Sequence, residues 1–234
     1  MTAQRTDPPR QLPLDLGHGT GYSRDELVVS GTNNQAAALV DRWPNWQAPV
    51  VVLAGPAGSG KTHLASIWRA RANAVAVDAR RMGDSIANLG AGPALIDDVD
   101  SGAVDEQGLF HLINTVRGAG STLLLTARRF PSAWGVKLPD LASRLKAAAT
   151  VEIHEPDDLL LAGVITKLFA DRQVEVEPHV VQYLVRRIER SLATAMRVVE
   201  RLDRTALERK MPITRALAAE TVSAMDEGQG EFEI

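Results

Sequence analysis

Cysteine is absent from the 234 residues, which excludes disulfides, thiol nucleophiles and thiolate metal sites. Aromatic residues make up only 4% of the chain, so a core has to come from Ala, Val, Leu and Ile; the 45% apolar content can supply one. Lysine is scarce, five against 21 arginines, and Arg is the better residue for forked contacts to carboxylate or phosphate. Excess positive charge is missing too: a formal net charge of −3 gives no overall field that would draw in nucleic acid. No apolar run is long enough to span a membrane. The N-terminus is polar and Pro-containing rather than a signal peptide, so a cytoplasmic protein is expected. His111 and His154 have no metal-ligand spacing and read as structural.

What is present centres on GPAGSGKT, Gly55 to Thr62. It follows the Val-rich run APVVVLA and leads into HLASIWRARA, which has helical character. Strand, glycine-rich loop, helix is the setting in which G-x-x-x-x-G-K-[ST] binds phosphate. Gly55, Gly58 and Gly60 allow a tight turn, and with Pro56, Ala57 and Ser59 they bring successive N–H groups toward one point. Lys61 is expected to reach the β- and γ-phosphates, and Thr62 to hold Mg²⁺. His63 directly follows the loop and is grouped with it as a cofactor contact.

Residues 1–21 form a polar tail that contains QLPLDL. Alternation puts Leu12, Leu14 and Leu16 on one side of an extended peptide, and Pro13 disfavours helix. That peptide either docks on a partner or folds back over the domain's own surface; spacing alone leaves both open. Residues 22–156 alternate strand and helix. A helix is expected over about 34–43, with Trp43 and Trp46 on the core. Further strands are expected at Asn73 to Asp78 (buried), Ala94 to Ile96, Ser121 to Thr126 and Thr150 to His154. With the strand before the loop this predicts a five-stranded parallel α/β sheet, ligands sitting at the carboxyl ends of its strands. RRMGDSIANLGAG is weakly helical. A helix over 104–118 turns Phe110, Leu112, Ile113 and Val116 inward.

The third strand runs into Asp97, Asp98 and Asp100. Such acids also suit a helix start or turn. One βαβ spacing after a phosphate loop they fit a Walker B element: Asp97 binding Mg²⁺ and Asp98 polarising the attacking water. From Asp157 the pattern becomes wholly helical, at about 158–172, 178–189, 191–209 and 213–226, so residues 157–234 are read as a separate helical lobe with a frayed acidic tail.

A phosphate-loop core followed by a helical lid resembles the AAA+ class. GPAGSGKTHLA, ALIDDVD, LLLTARRFP and DLASRL, in that order, resemble its initiator-type branch, and within it the Hda family of DnaA-related regulatory inactivators. QLPLDL fits the family's sliding-clamp-binding hexapeptide, DLASRL carries Arg144 where an arginine finger stands, and no DNA-binding domain is expected after the lid. The resemblance implies a protein that binds ADP or ATP with Mg²⁺. It would dock on the replication sliding clamp through Gln11, Leu12, Leu14 and Leu16, and present Arg144 to ATP-bound DnaA. Sequence-specific DNA and membranes are not expected partners, and a homo-oligomer is compatible. Two positions depart from the pattern. Ala193 stands where the lid normally offers an arginine, with Arg197 one turn on as the candidate replacement. After the fourth strand Thr126, Arg128 and Arg129 compete as phosphate sensor. A self-contained AAA+ motor or loader is the alternative, and a small-molecule kinase a weaker one.

Overall fold

The computed structural model describes residues 23–79, 82 and 91–230. β1 (Val50–Ala54) reads Val-Val-Val-Leu-Ala and is buried throughout. A strand without polar alternation needs cover on both faces, and it has it. β1 lies between β4 (Leu123–Ala127) and β5 (Ala149–Glu152), parallel to both. β3 (Ala94–Ile96) pairs with β4, and β2 (Val75–Ala76) with β3. The order is β2-β3-β4-β1-β5, every pairing parallel.

Because side chains alternate across a strand, the sheet builds two cores. On one face Val50, Val52, Ile96, Leu123 and Leu125 meet Leu109, Leu112, Ile113 and Val116 of α3 (Glu106–Gly118) and Leu141 and Leu145 of α4 (Pro139–Lys146). On the other, Val51, Leu53, Leu95 and Leu124 meet Ala36, Ala37 and Val40 of α1 (Asn34–Arg42) and Leu64, Ala65, Ile67 and Trp68 of α2 (Lys61–Ala72). Trp68 is fully buried; Trp46 stacks on it at 5.2 Å and Trp43 meets it edge-on at 6.4 Å. The expected core role of those two tryptophans holds. Their indole N–H groups donate to Leu39 O at 2.8 Å and Thr122 Oγ1 at 3.2 Å, so neither is buried unsatisfied.

The chain divides into two compact units. One is Gly21–Leu160 with Arg190–Leu192, and the other is built from the helices of residues 161–189 and 193–230. α5 (Asp158–Asp171), α6 (Pro178–Arg187), α7 (Leu192–Arg209) and α8 (Arg215–Gly230) complete the described elements. The helical unit buries Val180, Val181, Leu184 and Val185 from α6 and Ala195, Val198, Val199 and Leu202 from α7. Those spacings of three and four residues are one helical face. Among the described residues no helix is long and apolar enough to cross a membrane.

Three expectations are corrected. The second strand is shorter and less buried than expected: only Val75 and Ala76 pair, both exposed at the sheet edge, while Ala74 and Val77 on either side are buried. Apolarity predicted burial; an edge position with one neighbour removes it. Phe110 packs against the core but is only half-buried, unlike Leu112, and Leu109 is a fully buried core residue that the expectation left out. The C-terminal helix does not fray at Asp226 but continues to Gly230. The helix expected in RRMGDSIANLGAG falls mostly outside the described residues; Met82 is helical and buried.

Candidate functional site

The loop between β1 and α2 hangs on two left-handed residues, Gly58 at φ 72° and Gly60 at φ 96°. A Cβ at either position would be strained, so the loop's curvature needs glycine there. Gly60 caps the N-terminus of α2, whose first residues are Lys61, Thr62 and His63. The free N–H groups and positive dipole of that helix end therefore face the loop's mouth. Pro56 accepts from the Ser59 amide, closing the turn around Ala57. Ser59 Oγ is buried with no partner, a polar atom held in the cradle with its hydrogen-bonding capacity unspent.

Lys61 is buried and folds back over the loop, its Nζ donating to Gly55 O at 2.8 Å and Pro56 O at 2.7 Å. Burial pushes its ammonium below the ordinary lysine range, while Asp98, Asp97 and Asp100 pull it back up. Its two acceptors are neutral carbonyls, so the positive charge is held rather than cancelled.

Thr62 Oγ1 donates to Asp97, 3.0 Å from Oδ2. Thr126, at the end of β4, is buried and donates its hydroxyl to Asp97 Oδ1, while that same oxygen accepts from the Asp98 amide at 2.7 Å. One hydroxyl thus fixes both acidic residues. Asp98 sits at φ +55°, in the left-handed region. Its Oδ2 lies 3.5 Å from Arg128 Nη2. The Asp100 side chain, 1% exposed, accepts from the Arg128 amide at 2.8 Å and the Arg129 amide at 3.1 Å, pinning the turn that leaves β4. Thr62, Asp97, Asp98, Asp100, Thr126 and Arg128 are thus brought together beside Lys61.

Two contributors escaped the sequence reading. Asp100 was visible as a third acid, but its job of holding the 128–129 amides was not. The other is the segment 190–192: Leu192 N donates to Gly58 O at 2.8 Å, and Ser191 lies so close that a Cβ on Gly58 would stand 2.1 Å from its Oγ. Nothing in the spacing of a helical region announces a return to the phosphate loop.

Arg144 lies on α4, half-buried, with its guanidinium carbon 4.9 Å from the centre of the Phe110 ring and its Nε buried without a partner. Among the described residues it pairs with no carboxylate. Arg197, on α7, is exposed and donates to Thr194 Oγ1 at 3.0 Å. Gln11, Leu12, Leu14 and Leu16 lie outside the described residues.

Sheet order, phosphate loop and helical C-terminal unit define an α/β P-loop fold followed by helices alone. Residues 164–220 match the family model described as "Hda, lid domain". A relative from Haemophilus influenzae, described as an uncharacterized protein, is 28% identical over 227 residues, covering 88% of this chain and 95% of that one. The crystal structure of domain III of the Thermotoga maritima replication initiation protein DnaA is similar at a TM-score of 0.73 and 16% identity, over 87% of this chain and 96% of that one. AMPPCP-bound DnaA from Aquifex aeolicus is similar at a TM-score of 0.67 and 21% identity, over 81% and 68%. The likeness to Hda-type, DnaA-related AAA+ proteins read from the sequence therefore stands on lid and fold alike.

Proposed function

We propose that this chain is a nucleotide-bound adaptor. It docks on the replication sliding clamp through Gln11, Leu12, Leu14 and Leu16, and stimulates ATP hydrolysis by DnaA, thereby preventing a second initiation. The observation that carries the reading is a phosphate cradle in the same chain as a lid segment of the Hda type. Arg144, without a carboxylate partner among the described residues, supports the finger role.

The residues present fit an adenine nucleotide with Mg²⁺: two left-handed glycines, a buried unpartnered serine hydroxyl and a lysine held at the loop. The 55–60 amides and Lys61 would hold phosphates, with His63 beside them, and Thr62 with Asp97 would hold hydrated Mg²⁺. Arg197 is the lid's candidate for the same ligand. A bound nucleotide would supply negative charge at the loop, and Lys61, now donating to the Gly55 and Pro56 carbonyls, is the cation placed to meet it. Asp98 is the group to polarise water for the chain's own hydrolysis. The site of action is the cytoplasm.

In the partner's site, Arg144 would stabilise charge spreading over the transferring phosphoryl group, an effect worth about 10³ to 10⁵ in rate for fingers supplied in trans. The test is ATP hydrolysis by DnaA with DNA, clamp and this chain added one at a time. Stimulation that needs all three, and vanishes with Arg144→Ala while ADP binding persists, supports the reading. Undiminished stimulation by that variant refutes the finger. The intact Thr62–Asp97–Thr126 network favours, as a second reading, a self-sufficient ATPase in a ring of copies. Turnover without partner, lost in Lys61→Ala, would select it.

A further inference from the structure

Glu106 and Phe110 stand four residues apart on α3, and so on one face of that helix. Both touch what leads to, or lies on, α4. Glu106 accepts from the Lys137 amide at 2.9 Å and the Leu138 amide at 2.7 Å, immediately before α4 begins at Pro139. Phe110 carries the Arg144 guanidinium over its ring at 4.9 Å. Leu141 and Leu145, on the flanks of Arg144, are buried against the core that Phe110 edges.

An arginine meant for another molecule's phosphate meets a physical conflict. Left unrestrained, it spends its conformational entropy when the partner arrives. Held by a carboxylate, its charge is already neutralised and the ion pair must break. An aromatic face resolves the conflict: the ring quadrupole attracts the cation without cancelling its charge. The guanidinium's outer N–H groups stay open to a second acceptor.

We infer that Phe110 is the positioning residue for Arg144, an aromatic platform that holds the guanidinium aligned yet uncancelled for a phosphate on a partner ATPase. The inference rests on the finger reading and adds a residue to it. Phe110 is suited to this: it packs against the core on one side and, being only half-buried, leaves its ring available to the guanidinium.

The test measures DnaA ATP hydrolysis at saturating full-length chain, with clamp and DNA present. Phe110→Leu should lower the saturated rate roughly three- to tenfold, as expected for loss of one cation–π contact. The concentration giving half-maximal stimulation should stay the same, because docking is untouched. Phe110→Tyr, which keeps the ring, should restore the rate. In the Arg144→Ala background Phe110→Leu should change nothing further. Should Phe110→Leu fold poorly, as judged by thermal melting and ADP binding, 3,5-difluorophenylalanine at position 110 keeps the shape and weakens the quadrupole; the rate should fall with it. A wild-type rate in the leucine and difluoro variants, with Arg144→Ala inactive, overturns the platform and leaves the finger standing. A wild-type rate in Arg144→Ala removes both.

Discussion

Thr126 shows how much one hydroxyl can do. It donates to Asp97 and accepts from the Asp98 amide, so the geometry of the acidic pair passes through a single oxygen. Thr126→Val keeps the shape and removes the oxygen, stranding a donor and an acceptor; the cost expected is about 1–3 kcal/mol of stability. Chemical denaturation should register it. Mg²⁺-dependent tightening of ADP binding, read by calorimetry, should weaken as well. Thr126→Ser should recover both, and a serine variant as defective as the valine one would mean that shape, not the hydroxyl, matters. Lys61→Ala should abolish measurable nucleotide binding while leaving the melting temperature close to wild type, since the ammonium's two hydrogen bonds go to carbonyls of its own loop. At this scale the sequence made Lys61, Thr62, Asp97 and Asp98 legible, because a phosphate loop and an acidic strand end fix residue type to task. It left Thr126, Arg128 and Arg129 undecided. Which of these three nearby polar positions faces the loop depends on the twist of the strand end and on the buried Asp100 that holds the turn, neither of which a spacing records.

At the scale of elements, the long amphipathic helices were readable because apolar residues at three- and four-residue spacing have one way to be buried. β2 was not: Asn73 to Asp78 has the composition of a buried strand, yet a position at the sheet edge leaves Val75 exposed. Glu106 illustrates a contact between elements with a measurable pH signature. The amides of Lys137 and Leu138 hold its carboxyl below the ordinary glutamate range, Lys137's charge adding a smaller push. A depressed folded-state value stabilises the fold above the unfolded value, and that contribution disappears as pH falls through the folded one. The melting temperature of Glu106→Gln should therefore lie below wild type at pH 7, and the gap should narrow toward about pH 4 and below. A gap constant across that range would mean the carboxylate's charge is not what holds the segment before α4. If Arg144 is a finger, the same variant should also lose part of the stimulated rate at pH 7.

Across the whole molecule, the organising fact is that the chain leaves the α/β unit at Leu160 and returns to it for Arg190–Leu192 before continuing as α7. Sequence periodicity saw a helical region from Asp157 onward and had no means of seeing the return, because a three-residue visit has no period. The return is fastened at Gly58, whose carbonyl accepts from Leu192 N and whose missing side chain leaves room for Ser191. Gly58→Ala should thus carry two separable penalties: about 1–2 kcal/mol for a left-handed alanine, and about 1–3 kcal/mol for the collision with Ser191. Removing the serine side chain relieves only the second. The double variant Gly58→Ala with Ser191→Gly should consequently be more stable than the sum of the two single losses. A coupling of about 1 kcal/mol or more is expected for residues in such contact. Denaturant unfolding of the four proteins measures it, and ADP titration of the same set asks whether relieving the clash also restores the loop. Strict additivity would mean that residues 190–192 merely lie near the phosphate loop; coupling in both readouts would make them part of it, and would give nucleotide binding a covalent line into the helices that carry Arg197.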